Sequence, residues 1–546
     1  MENAVILDVE TTGLNPRRDN VILVGTLNLG SPYSVPDIRK KWDSSLEKYV
    51  VGHNVRFDAA FLKLSEKEHI FLDTEVLSRL HWPYEASYKL KDLMRIKFGE
   101  ECKEQRDVLI WLEEEDKRRR KEKVETLANF GDIPVELLSP YLEQDLLYTR
   151  RLFEHLWPRL QDHPHLETEL RLTNAIYCME KRGWDVKKTD LGSMISTQEA
   201  ALGLTMRSLE SMQSRPVNIN SPKQVGEYIT EELKIKLPGK TPTGQPKVDK
   251  SVLSRWAHIP WVSSYLKSKA VSKMLNTYYK PISNMMDSDR LYPSYRQIGA
   301  ITGRMSCASP NLQNIPRGDP LRGLFTVAGR KLAFMDYNQI ELRIFAHYAE
   351  DQSIIEAFRR GEDLHSKTAT ALFNVITPSS GQRQIAKTIN FALIYGAGPK
   401  RIMEQLAADG QLFSYGEVKN FIGRYYKAYP AVNKFMSTME RAATVDGYVK
   451  DIWGYRHIVK PEEAYKVTNY LIQGTAAQVM KKSFVALHEA GHDIRNVIHD
   501  EFVLAYRLGD EKTLDDAVRL AEDRATFRVP ITVSTKFGFD NWGDKT

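Results

Sequence analysis

Apolar residues follow two different periods along this chain. AVILDV (4–9) and VILVGTLN (21–28) are near-continuous apolar runs of strand length, and KYVVG (48–52) is a shorter third. Helical patterns lie between them, so the first 160 residues predict an α/β unit. Residues 160–290 are polar and helix-rich, interrupted by the Pro/Gly-punctuated stretch LPGKTPTGQPK (237–247), which predicts a loop. Strong apolar patterning returns from residue 324. KLAFMDYNQIELRIFAHYAED (331–351) starts as a buried strand and becomes a helix near Gln339. Residues 418–445 and 464–490 predict long helices, and 495–507 and 528–537 alternate as strands do. In WLEEEDKRRRKEK (111–123), Glu113, Glu114, Glu115 and Asp116 each have a basic residue four positions later. That acid-before-base spacing belongs to a solvated helix, and we read it so in preference to a DNA contact.

Composition narrows the class without naming it. With 546 residues, 42% hydrophobic and 27% charged, the chain is an ordinary globular protein of three or four domains. No apolar run approaches the ~20 residues of a membrane span, and the N-terminus lacks the basic region of a signal peptide. Three scattered cysteines, Cys102, Cys178 and Cys307, form neither a zinc pattern nor a disulfide framework, which predicts a reducing, cytoplasmic setting. The net charge of +6 is compatible with nucleic-acid binding, as it is with much else.

The first chemistry lies at a strand end. Asp8 and Glu10 in LDVET are separated by one residue, so strand alternation puts both on one face. Charges beside a buried strand are costly unless they bind something. Asp58 follows in VGHNVRFDAAFL, and Tyr141 and Asp145 share a helical pattern. Convergence of these four carboxylates would supply the oxygen ligands that suit two magnesium or manganese ions.

The second constellation lies in the C-terminal half. Asp336 stands where its apolar strand ends, and NVIHDEFVLAY (496–506) reads strand, turn, strand with His499, Asp500 and Glu501 at the turn. Asp336 and Asp500 are the natural pair to share two metal ions. Between them, Arg383, Lys387, Phe391 and Tyr395 recur every four residues in RQIAKTINFALIYGAG. On a helix they form one stripe about 18 Å long, cationic at its start and aromatic at its end. A nucleoside triphosphate has the matching polarity, phosphates for the cations and a flat base for the rings.

Taken in order, DxE, NxxxD and YxxxD resemble the DEDD-type 3′-to-5′ exonucleases whose third motif carries a tyrosine. The segments around Asp336, Arg383–Tyr395 and Asp500 resemble motifs A, B and C of family A, DNA polymerase I-like enzymes. TGRMSCASPNLQNIP (302–316), DLHS (363–366), NYLIQGTAAQ (469–478) and the Asn-Trp pair at 541–542 extend the likeness to nearly the whole chain. The implied architecture is an α/β, ribonuclease H-like exonuclease domain (1–160) followed by an α+β right-hand polymerase. Its thumb would span 161–290, its palm 291–350 with 490–546, and its fingers 351–489.

The resemblance also implies roles. Asp336, Asp500 and the Tyr337 carbonyl would bind two Mg2+ in the palm, with Glu501 beside them. Asp8, Glu10, Asp58 and Asp145 would bind two more, Mn2+ being a substitute, and Tyr141 would position the attacking water. Arg383, Lys387 and His365 would hold the triphosphate. Gln339 and Phe391 would line the nucleotide, Tyr395 would stack near the templating position, and Glu341 would fill the space of a ribose 2′-hydroxyl. Arg304, Asn469 and Gln473 would contact the minor groove, and His499 the primer end. Asn311, Gln313 and Asn314 would support the strands, and Asn220, Ser221 and Lys223 would grip the duplex backbone.

Three positions depart from the family pattern: Asn338 in place of serine, Tyr465 in place of arginine, and Phe391 in place of the tyrosine some members carry. The last predicts discrimination against dideoxynucleotides. Motifs starting so near Met1 leave no room for a 5′-nuclease domain, which predicts a compact, phage-type or stand-alone replicative enzyme, the alternative being a repair enzyme that lost its nuclease domain. It would work as a monomer on primer-template DNA and dNTPs, alongside a helicase, primase or single-strand-binding protein. Glu341 and the N-terminal motifs weigh against a single-subunit RNA polymerase. The intact Asp336, Arg383, Lys387 and Asp500 weigh against a dedicated exonuclease, and both carboxylate sets weigh against a non-catalytic scaffold.

Overall fold

The computed structural model describes residues 4–30, 34–40, 47–124, 126–241 and 244–545. Met1 and part of the 237–247 stretch therefore lie outside the described residues. The apolar runs at the start become the middle of a five-stranded sheet. Its order is Asp37–Arg39, Val21–Asn28, Ala4–Thr11, Tyr49–Gly52, Ile70–Asp73. The first three strands pair antiparallel and the last two join in parallel. Helix Val135–Leu160 packs on this sheet, and closely at Gly25, where a Cβ would stand 2.7 Å from Leu146. The solvated helix is Lys103–Lys121. Of its expected i,i+4 pairs, Glu113–Lys117 and Glu115–Arg119 are present. Arg118 turns instead to Glu115 and Glu122, and Asp116 accepts the Ala128 amide.

Helix Leu166–Arg182 is the seam of the molecule. One side packs on strand Ile70–Asp73 and the other on helix Val467–Glu489. At the second contact Glu169 and Lys481, both 1% exposed, meet at 2.5 Å, and Gln297 and Gln478 also donate to the Glu169 carboxylate. From Lys188 to Met285 the chain forms a helical arm with its own core around Leu209, Tyr228, Trp261 and Tyr265.

A second sheet, entirely antiparallel, has the order Asp493–Ile498, Glu501–Tyr506, Lys331–Tyr337, Val533–Phe539. The apolar strand at 331–337 is central in it because both of its faces are buried. The strand read at 528–537 begins later, at Val533, because Pro530 withholds an amide from any ladder there. The long helix read at 418–445 is two, Tyr415–Ala428 and Pro430–Asp446. Pro430 excludes helical geometry from the residue before it, and Tyr429 has φ −129°. The expected helix at 464–490 is Val467–Glu489 behind a short 3-10 turn.

Candidate active sites

In the C-terminal half, strand pairing does most of the assembly. Asp336 lies opposite Glu501 in the ladder, and the Tyr337 amide donates to the Asp500 carbonyl at 3.0 Å. Residues more than 160 positions apart thus meet at the mouth of one sheet. His499 takes φ +54° at the turn and Gln339 takes φ +52° where strand gives way to helix Ile340–Ala349. Asn338 clasps the same corner. Its amide group bonds Thr532 Oγ1 (3.2 Å) and Ser534 Oγ (2.5 Å), so asparagine in this place ties two strands together. Tyr337 sends its hydroxyl away from the mouth, to Ser483 and the Ala521 carbonyl.

Burial raises the Asp500 carboxyl to about 6, against the pull of Arg304 and with the help of Glu341 and Asp336. Arg304 Nη2 lies 3.7 Å from Asp500 and bonds the buried Glu341, which also accepts the Tyr395 hydroxyl. Glu341 is therefore held from two sides. The open basin in front of Asp336, Asp500 and Glu501 is rimmed by Arg317, Arg322, Lys536 and Lys545. Lys545 pairs with Glu501. The neighbouring Trp542 is fully buried, stacked on Trp184 at 6.0 Å, which fixes the chain end that carries this lysine.

The stripe of Arg383, Lys387, Phe391 and Tyr395 lies on helix Ser380–Ile394, with Tyr395 at its end. Arg383 and Lys387 are exposed, and Phe391 and Tyr395 half-buried with ring centroids 6.2 Å apart. Asp363 was not foreseen as part of this face. It caps helix Leu364–Phe373 through the Ser366 amide and pins Arg383 at 2.7 and 3.1 Å. His365 packs 5.7 Å from Phe391, bonds Asn390 through Nδ1, and is pushed down to about 4 by burial. At neutral pH it is therefore a hydrogen-bonding imidazole rather than a cation.

Among the expected DNA contacts, Gln473 reaches the Tyr395 hydroxyl, and Asn469 lies one turn earlier on the same helix. The Asn469 and Asn311 side-chain oxygens are buried without partners. Asn314 and His499 are exposed. Gln313 spends both ends of its amide on backbone, at Cys307 N and Val497 O (2.9 Å each), joining the 306–309 strand to the antiparallel C-terminal sheet. Asn220, Ser221 and Lys223 stand apart on the helical arm, at the start of Pro222–Glu231. Tyr465 is half exposed, and its backbone carbonyl crowds Gly396.

The N-terminal carboxylates converge as well. One oxygen each from Asp8, Glu10 and Asp145 lies within 4.8 Å of the others. Asp58 sits beneath, accepting the Val9 amide at 3.0 Å. Burial, and after it the charge of Asp145, pushes Asp8 up to about 8. Burial, and after it the charge of Asp8, raises Glu10 and Asp58 well above the ordinary carboxylate range. Tyr141 lies one helical turn before Asp145. Lys91, on helix Leu90–Phe98, was missed. Its Nζ lies 2.6 Å from both Asp145 oxygens and 3.5 Å from the Tyr141 ring centroid. Its only trace in the sequence is one lysine beside the buried Leu93 and Met94.

Residues 190–544 match the sequence profile of DNA polymerase family A. The chain belongs to DNA polymerase family A. DNA polymerase I of Pseudomonas aeruginosa is 33% identical over 455 residues, covering 76% of this chain and 48% of that protein. The thermostable DNA polymerase I of Thermus aquaticus is 31% identical over 424 residues, covering 72% and 50%. This family A chain therefore spans about half the length of the curated relatives it matches. The POL domain of Pol1 from M. smegmatis, solved with DNA primer-template and dNTP, shares the fold. Its TM-score is 0.81 at 22% identity, over 99% of this chain and 96% of that one.

Proposed function

We propose that this family A chain extends DNA primers on a template, adding dNTPs to the primer 3′-hydroxyl with release of pyrophosphate. We propose further that its N-terminal module removes 3′-terminal nucleotides and so proofreads. The observation carrying the first reading is the meeting of Asp336 and Asp500 at adjacent strand ends, beside the Glu341–Tyr395 contact that ends the nucleotide stripe. The second reading rests on the grouping of Asp8, Glu10 and Asp145 over Asp58.

Both carboxylate sets fit divalent cations. Each is a set of hard oxygen donors, and burial together with repulsion from neighbouring carboxylates raises Asp500 and Asp8. Bound magnesium, or manganese in its place, would supply activation of the attacking oxygen and charge neutralisation at phosphorus. Asp336, Asp500 and the Tyr337 carbonyl would hold it in the palm, and Asp8, Glu10, Asp58 and Asp145 in the N-terminal module. The chain's other groups bind and orient. Arg383, freed from Asp363, and Lys387 take the triphosphate, and His365 adds a neutral hydrogen bond. Phe391 packs on the nucleotide. Glu341, fixed by Arg304 and Tyr395, occupies the volume a 2′-hydroxyl would need. Tyr141 orients the attacking water in the nuclease. The division into exonuclease (1–160), thumb (161–290), palm (291–350, 490–546) and fingers (351–489) belongs to the same proposal, with Lys188–Met285 as the thumb's free-standing part.

A labelled primer-template with magnesium, with and without dNTPs, tests both halves. Extension should vanish in Asp336→Asn while shortening without dNTPs persists, and Asp8→Asn should do the reverse. Shortening without extension in the unmutated protein would sink the polymerase reading. Extension without shortening would sink the proofreading one.

A further inference from the structure

Lys91 has no part in the reaction described above, yet it pairs with Asp145, one of the N-terminal carboxylates. Its side chain is 6% exposed, and its ammonium lies 2.6 Å from each Asp145 oxygen. The same ammonium stands 3.5 Å over the Tyr141 ring. Among the described residues, no other cation forms an ion pair with Asp8, Glu10, Asp58 or Asp145. A group of buried carboxylates repels itself strongly unless something positive stands among them. Lys91 does this in the free protein, but it bonds Oδ2 and stands 2.6 Å from Oδ1 of Asp145, a residue that would hold a metal. While Lys91 is there, its charge opposes the approach of a second cation to Asp145, whose Oδ1 accepts no hydrogen bond.

Resting on the proofreading reading, we propose that Lys91 is the built-in counter-cation of this site. It holds Asp145 and Tyr141 in place in the free protein and gives up Asp145 when a divalent cation is loaded. Lysine suits the task because its ammonium is a compact charge on a flexible stem, which can withdraw without moving the helix. Lys91 is anchored behind by its own carbonyl, which accepts the Cys102 thiol. It is a positioning residue, and its release frees the face of the Tyr141 ring at the moment Asp145 becomes available. The arrangement keeps an acidic site folded without metal, at the expense of metal affinity.

Manganese binding tests this without reference to catalysis. Asp500→Asn removes a palm ligand, and in that background Lys91→Met removes the ammonium while keeping a side chain of similar length. The expected result is a lower melting temperature in chelator, manganese affinity higher by on the order of tenfold by calorimetry, and a larger manganese-induced rise in melting temperature. Lys91→Arg should restore the melting temperature in chelator. Lys91→Gln serves as the neutral variant if Lys91→Met fails to fold. A purely structural lysine would lower the melting temperature and leave manganese affinity unchanged or weaker. That outcome overturns the proposal while the nuclease reading stands. If the background protein and its Asp8→Asn derivative give the same isotherm, the N-terminal site holds no metal and both readings fall.

Discussion

Gly396 follows the helix Ser380–Ile394 that carries the proposed nucleotide contacts, and Gly396→Ala should damage function more than stability. Gly396 takes φ +72° just past Tyr395, and a Cβ there would stand 2.3 Å from the Tyr465 carbonyl oxygen. Left-handed backbone costs a residue with a side chain about 1–2 kcal/mol. The clash is the larger problem, because the obstacle is backbone and the distance is about 1 Å short of the 3.4 Å where ordinary contact begins. The helix end or the 465 segment must therefore shift by about that much. Tyr395 is adjacent, and its bond to Glu341 would fix one wall of the proposed nucleotide site. A displacement of about 1 Å at a positioning group can cost about a hundredfold in rate. The assay is single-nucleotide primer extension, read as kcat/KM for the dNTP, together with thermal melting. Gly398→Ala is the control. Gly398 has φ −76° and open space around its Cβ position, so its cost should stay within about 1 kcal/mol and leave turnover nearly intact. Extension by Gly396→Ala within about threefold of the unmutated protein would refute the reasoning, since the clash would then have been relieved without moving the site.

Three other outcomes follow from the same geometry. Lys481→Met strands Glu169 in a fully buried setting and should cost about 3–5 kcal/mol in denaturant unfolding; a loss below about 1 kcal/mol would mean that Gln297 and Gln478 suffice. Phe391→Tyr restores a hydroxyl on the nucleotide face and should raise dideoxynucleotide incorporation relative to dNTPs by about tenfold to a hundredfold; an unchanged ratio in competition sequencing would show that this ring does not sense the sugar. Burial alone would raise the Asp451 carboxyl, but the His165 ring bonded to it at 3.0 Å and the His457 ring 3.6 Å away prevail and hold it well below its ordinary 3.8. Its contribution is therefore present above that pH and lost as pH falls towards the folded value. Asp451→Asn should destabilise the protein at pH 6 in urea melts, with the gap to the unmutated chain closing below pH 4; a gap that widened on acidification would contradict the assignment.

The linear pattern carried the local events because they are short-range. A strand that ends in an acid and turns into a helix is visible at Asp336 and Gln339, and so is the fourfold spacing of Arg383, Lys387, Phe391 and Tyr395. The break at Tyr429–Pro430 was legible too, but the apolar periodicity runs through it and masked it. Beyond this range the sequence is silent about partners. Nothing near Asp363 says that it will close on Arg383, twenty residues away. Nothing near Lys91 says that it will lie between Asp145 and Tyr141, and Lys545 gives no sign of pairing with Glu501. Periodicity depends on each residue's own backbone, whereas a salt bridge depends on which elements are brought face to face. The sequence by itself therefore determined which groups would be offered at strand and helix ends. Only the tertiary structure, through strand pairing and the packing of Leu166–Arg182 between the two halves, decided which charges oppose which.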